Sequence, residues 1–198
     1  MKKYLYTLLF CLFLTGNVHS HGSFRYGALA GLSSTGIRLS GKQGEYFNGY
    51  DRAIGFNVNA YLAFKTKGLI GVSIEPGFMM KGATGKSSIG NGYRSKLNYI
   101  QMPVFIDFYL FKEKLFFQLG PEVALLTNAK LNESNGNGYY DKKFELSAMA
   151  GVNFNIIRML DVGIRYNYGI TTTTDGEPKE FNNYIQLLLR LKFGNKEK

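Results

Sequence analysis

The chain is short of the residues that most chemistry and most helical membrane proteins require. It has one cysteine, Cys11, and two histidines, His19 and His21. Beyond residue 14 no stretch carries the roughly 18 continuous apolar residues of a membrane-spanning helix. That absence excludes a helical spanning protein and leaves a barrel open, because a barrel strand gives only a weak signal. The chain opens with Met1-Lys2-Lys3, an apolar run from Tyr4 to Leu14, and Val18-His19-Ser20. A basic start, a short apolar run and small closing residues describe a secretory signal peptide over residues 1–20, cut after Ser20. Cys11 then leaves with it, too early and too bulky in its surroundings for a lipoprotein site. The mature chain, 21–198, is expected to hold no disulfide and no thiolate metal site. His21 alone remains, so a Ser-His-acid triad lacks its base and a zinc site lacks ligands. No cofactor or metal is expected, and the chain is read as not an enzyme.

The formal charge is +10, and +8 once Lys2 and Lys3 are removed. The basic residues are scattered and the chain is exported. This argues against nucleic acid and points to an anionic membrane surface.

What is present is alternation. In Asn98–Phe111 the even positions Ile100, Met102, Val104, Ile106, Phe108 and Leu110 are all large and apolar, while the odd positions include Gln101 and Asp107. Side chains on a strand alternate between faces, so this is a strand with one wholly apolar face. It is also long: a strand crossing a bilayer at a tilt needs about 9–11 residues, against about 5–6 in soluble proteins. Seven more stretches repeat the pattern: Phe24–Ser33, Ile54–Phe64, Leu69–Met80, Leu115–Leu126, Phe144–Ile156, Leu160–Ile170 and Asn183–Phe193. Short turns are expected at Lys65–Gly68, near Lys112–Lys114 and at Ile157-Arg158. Long polar loops are expected over Ser34–Arg52, Gly82–Ser95, Thr127–Lys143 and Thr171–Asn182. Short and long connections therefore take turns along the chain. The pattern predicts an all-β fold: one eight-stranded, antiparallel, up-and-down transmembrane β-barrel with short periplasmic turns and long extracellular loops.

Alternation alone does not say which face points inward, since a soluble lipocalin-like barrel alternates too. The mixed face carries many glycines and both signs of charge: Glu75, Asp107, Glu122, Asp161, Arg165 and Arg190. A narrow lumen needs small residues, and its charges need partners. An arginine on the lipid face at mid-membrane would cost about 2–4 kcal/mol. Tyr166, Tyr168, Phe64, Phe144 and Phe154 share the apolar parity, and several sit near strand ends, where an aromatic girdle belongs. The apolar rows are therefore read as facing lipid. Pro76, Pro103 and Pro121 fall inside strands, and each is expected to mark a bulge or a broken pair.

Several segments carry a family resemblance: LNYIQMPVFIDFYL from Leu97, LGPEVALLTNAK from Leu119, AGVNFNI from Ala150, VGIRYNYGITT from Val162, and the closing YIQLLLRLKF from Tyr184. In order and content these resemble the PorT-like outer-membrane β-barrel family of Bacteroidota over nearly the whole mature chain. The resemblance implies an eight-stranded outer-membrane barrel, delivered by periplasmic chaperones and inserted by the barrel-assembly machinery. Phe193 would serve as the aromatic end of the insertion signal, although Gly194 to Lys198 follow it. The founding member is tied to secretion and gliding, and the family offers no shared catalytic residues.

Two groups of side chains are candidates for a role. Glu75, Asp107, Glu122, Arg165 and Arg190 are read as an interior ion network; acid–base work by Glu75 and Glu122 is the alternative. Lys81, Lys86, Arg94 and Lys96 are candidate contacts for glycolipid phosphates or a protein partner. Gly85-Lys86-Ser87 is not a phosphate-binding loop, since Met80 stands where that motif needs glycine and no helix follows. The expected function is that of a structural or interaction barrel of the envelope, binding through its loops, with outer-membrane lipid, lipopolysaccharide and an envelope or secretion protein as partners. A lipid-modifying enzyme and a narrow pore are the alternatives.

Overall fold

The computed structural model describes residues 22–40, 47–87, 92–111, 114–132, 134–135, 140, 142–173 and 179–194. The expected signal peptide and His21 lie outside the described residues. The described residues form β1 (Ser23–Ser40), β2 (Phe47–Lys65), β3 (Ile70–Ile74), β4 (Gly77–Ser87), β5 (Gly92–Leu110), β6 (Leu115–Leu131), the two-residue β7 (Ser134–Asn135), β8 (Phe144–Ile157), β9 (Leu160–Gly169) and β10 (Lys179–Gly194).

Neighbours pair antiparallel throughout. β3 and β4 are two halves of one interrupted stave, since both lie between β2 and β5. The last strand pairs back onto the first, from Arg25↔Gly194 to Ser40↔Lys179. The sheet thus closes into a ring of eight staves, β1, β2, β3/β4, β5, β6, β8, β9 and β10. Closure removes the free edge, which a bilayer core cannot satisfy with water.

Alternation is what turns this ring into a wall with two characters. Along β5, Ile100, Met102, Ile106 and Phe108 are 41–59% exposed, whereas Tyr99, Gln101, Phe105 and Asp107 are 0–3% exposed. The same division runs through β9 and β10, where Ile164, Leu187 and Leu189 face outward and Arg165, Gln186 and Arg190 face the lumen. An apolar outside and a polar inside is the reverse of a soluble barrel.

The strands outrun the expected boundaries at the loop end. β2 and β5 each have 19 residues and β1 has 18, well beyond the span of a bilayer. Much of the sequence expected as long loop is therefore ladder. The reason is that backbone pairing does not depend on side-chain alternation. Thr35, Gly36 and Ile37 are all buried in succession, so the period of two fails there, yet pairing with β10 continues to Ser40.

The prolines meet the expectation of a broken pair at Pro76 and Pro121 and not that of a bulge. Pro76 does interrupt its stave, between β3 and β4. Pro103 and Pro121 do not sit at register shifts: Pro103 stays in register with Glu122, and Pro121 with Ala148. The shifts fall instead between Phe47 and Tyr50, between Arg52 and Phe56, between Asn98 and Tyr99, and between Asn155 and Ile157. A proline needs only a position where no donor is asked of it. Between Pro103 and Ile106 the β5–β6 ladder lapses for two residues, and Pro121 lies opposite that lapse. Gly120 is there because a Cβ would collide with the Val104 carbonyl.

Candidate functional site: the filled interior

The inward rows carry two clusters of charge. The first lies toward the short-turn end and centres on Glu75, which sits at the break before Pro76. Its backbone is held from both sides: its N–H donates to the Pro103 carbonyl at 3.0 Å, and Asn59 Nδ2 donates to its carbonyl at 2.6 Å. Arg165 from β9 donates to both carboxylate oxygens, Nη1 to Oε2 at 2.5 Å and Nη2 to Oε1 at 2.7 Å. Arg190 from β10 donates to Oε1 at 2.8 Å. A planar guanidinium matches a carboxylate in this forked way, and lysine would not.

Gln118 from β6 joins the parts. Its Oε1 accepts from Arg165 (2.6 Å), Arg190 (3.1 Å) and Asn153 (2.8 Å), while its Nε2 donates to Asp107 at 2.7 Å. Asp161 accepts from Lys192 at 2.6 Å and from Arg190 at 3.4 Å. Three carboxylates and three cations thus meet in one network. The guanidinium faces are covered too: Arg190 lies 4.4 Å from the Tyr61 ring centre and Arg165 4.7 Å from Phe105. Gly151 makes the space for this, since a Cβ there would stand 2.6 Å from Arg165 Cγ.

The second cluster lies toward the loop end. Lys81 Nζ donates to Glu145 Oε1 at 2.6 Å and to Glu122 Oε1 at 3.0 Å. Neutral donors supply the rest: Tyr184 and Asn167 reach Glu122 at 2.6 and 3.2 Å, and Asn182 reaches Glu145 at 2.6 Å. Met79, Phe105, Met149 and Tyr184 form an apolar layer that touches both clusters.

Of the residues singled out from sequence, Glu75, Asp107, Arg165 and Arg190 come together in the first cluster. Glu122 does not join them, so Glu75 and Glu122 are not a carboxylate pair; each is held by its own cations. Lys81 requires a correction. It is not a loop cation beside Lys86, Arg94 and Lys96, because it is 2% exposed and lies inside the barrel. Arg94 is exposed and Lys96 half-buried, both on the outer extension of β5. The side chain of Lys86 lies outside the described ones. The clean alternation of the Lys81 strand stops at Met80, but the inward parity runs on through Met79, Lys81 and Ala83, all buried. Gln118, Glu145, Asn167, Asn182, Tyr184 and Lys192 complete the two clusters, and their inward parity is the signal in the sequence that marks them. Among the described residues no group of three or more His, Cys, Asp or Glu side chains is placed to hold a metal ion.

Comparison with known proteins agrees with this architecture. No curated protein sequence matches the chain. Neisserial surface protein A, a solved structure, superposes with a TM-score of 0.51 at 18% identity, covering 85% of this chain and 97% of its own. Ail, the attachment invasion locus protein of Yersinia pestis, gives 0.49 at 14% identity over 86% and 99%. OprG, an outer membrane protein from Pseudomonas aeruginosa, gives 0.45 at 13% identity over 89% and 96%. At such identities the first of these speaks for the fold alone. The family model for the outer membrane protein beta-barrel domain matches residues 17–175. That match spans most of the molecule, and with the closed ring and its apolar outer face it leads to one conclusion: this chain is an outer-membrane β-barrel and belongs to the outer membrane protein beta-barrel domain family.

Proposed function

We propose that this barrel is a plugged envelope scaffold: it holds its loop end at the cell surface for a partner, and it does not conduct solutes or turn over a substrate. The observation that carries the reading is the occupied lumen, where Glu75, Arg165, Arg190 and Gln118 bridge opposite walls and Lys81, Glu122 and Glu145 do so again nearer the loops. An eight-stave barrel has room for side chains and not for an aqueous channel. The strand extensions give the loop end a stiff base for contact with a partner.

Within the family, the Asn98–Pro103 and Arg165–Gly169 segments support a PorT-like member, and with it a role in secretion or surface association. Export by the 1–20 segment, chaperone delivery and insertion through the closing strand at Phe193 belong to the same reading. In-cell cross-linking from a photoreactive residue at Arg94, followed by mass spectrometry, should identify one envelope protein at the loop end. Shortening 41–46 and 88–91 should abolish that adduct while membrane assembly persists. Retention of the adduct in the shortened protein, or a steady conductance of the wild type in planar bilayers, would contradict the proposal.

A further inference from the structure

At the loop end of β8, β9 and β10 the outer surface carries a recess of about 610 Å³. Its apolar floor is Phe144, Ile170 and Phe181, and its rim bears Lys142, Lys143 and Lys179. Phe144 and Ile170 belong to the outward parity and are 57% and 52% exposed, so the floor continues the lipid-facing belt. The walls are tied by the backbone. The Leu146 N–H donates to Thr171 Oγ1 at 2.8 Å, and the Thr173 N–H to the Glu180 carbonyl at 2.9 Å. Lys142 donates to Thr172 Oγ1 at 3.0 Å, which holds one ammonium over the recess. Beside it, the Arg38 guanidinium lies 4.4 Å from the Phe181 ring and 4.5 Å from Tyr168. Four cations from three separate parts of the chain therefore stand where the apolar belt ends.

We infer that this recess binds a phosphorylated glycolipid of the outer leaflet, its phosphate on the three lysines and the start of an acyl chain on Phe144, Ile170 and Phe181. Charge complementarity selects an anionic head. The belt-level apolar floor selects a membrane lipid over a free sugar phosphate, which would have no use for exposed aromatic surface. The volume lies within the roughly 300–1,000 Å³ of ordinary ligand sites. The inference rests on the loop end facing the cell exterior.

Full-length mature protein in micelles, titrated with lipid A by native mass spectrometry, tests this. Wild type should hold diphosphorylated lipid A and lose it when the lipid is dephosphorylated. Replacing Lys142, Lys143 and Lys179 by Gln together should weaken binding on the order of a hundredfold, about fivefold per charge removed. Lys67→Gln with Arg158→Gln, two exposed cations at the short-turn end, should leave it unchanged, and heat-modified gel mobility should report a folded barrel in every variant. Equal binding by the triple variant, equal binding of dephosphorylated lipid, or displacement by equimolar glucosamine phosphate would overturn the proposal. Orientation is read separately, by labelling Lys179→Cys on intact cells with an impermeant maleimide. Labelling should occur; failure to label there would remove the outer-leaflet assignment even if lipid A binds in micelles.

Discussion

The two interior clusters solve one problem by different means. Near the short turns, Glu75 and Asp161 pair with three cations, two of them arginines that share Glu75, while Asp107 accepts from the neutral Ser73 and Gln118. Nearer the loops, a single lysine serves two carboxylates, and tyrosine and asparagine donors complete them. A buried charge stripped of its partner is costly, whereas one that keeps neutral hydrogen bonds is costly to a lesser degree. The first cluster should therefore be brittle, with its weight on one residue. The second should be graded, with its weight shared among many.

That contrast can be broken by mutation. Glu75→Ala leaves two buried guanidiniums facing each other and should destabilise the barrel by about 3–5 kcal/mol. Urea unfolding in detergent micelles measures this, and a loss below about 1 kcal/mol would show that the arginines re-pair without it. Ile106→Arg sets a yardstick on the opposite face: a charge toward lipid should cost about 2–4 kcal/mol in refolding into bilayers, falling toward zero if that row faced the lumen. Lys81→Met should cost less than Glu75→Ala, about 2–3 kcal/mol, because Glu122 keeps Tyr184, Asn167 and Ser147 and Glu145 keeps Asn182. Adding Glu145→Gln to that variant should recover part of the loss; no recovery would mean the two carboxylates do not share the lysine. Tyr184→Phe removes one hydrogen bond to a carboxylate and should cost about 1–2 kcal/mol by the same unfolding assay.

The same contrast explains what could be read from sequence. The eight staves and their sidedness were legible because lipid on one side and packed charge on the other impose a period of two on every stave. Glu75, Asp107, Arg165 and Arg190 fall where that period is clean. The second cluster needed Lys81 and Glu145. Lys81 lies just past the clean alternation of its strand, where polar residues and Gly82 resemble a loop, while the ladder to β5 continues regardless. Backbone pairing outside the bilayer leaves no mark on side-chain pattern, so the strand extensions were invisible. The prolines were legible in part: the missing donors of Pro76 and Pro121 do mark a break and a lapse in the ladder, whereas Pro103 keeps its partner Glu122, and only the ladder shows where no donor is required. The recess on β8, β9 and β10 draws residues from strand ends some 40 positions apart, and no local pattern joins them.

The sequence contains no tryptophan, which makes fluorescence the most direct test of the two-faced wall. Single-tryptophan variants Ile106→Trp, Ile164→Trp, Phe105→Trp and Phe116→Trp, refolded into bilayers of brominated lipid, would read each face without background. Strong quenching at 106 and 164 with little at 105 and 116 is expected. Quenching at 105 and 116 that equals or exceeds that at 106 and 164 would contradict the assignment of apolar rows to lipid and charged rows to one another.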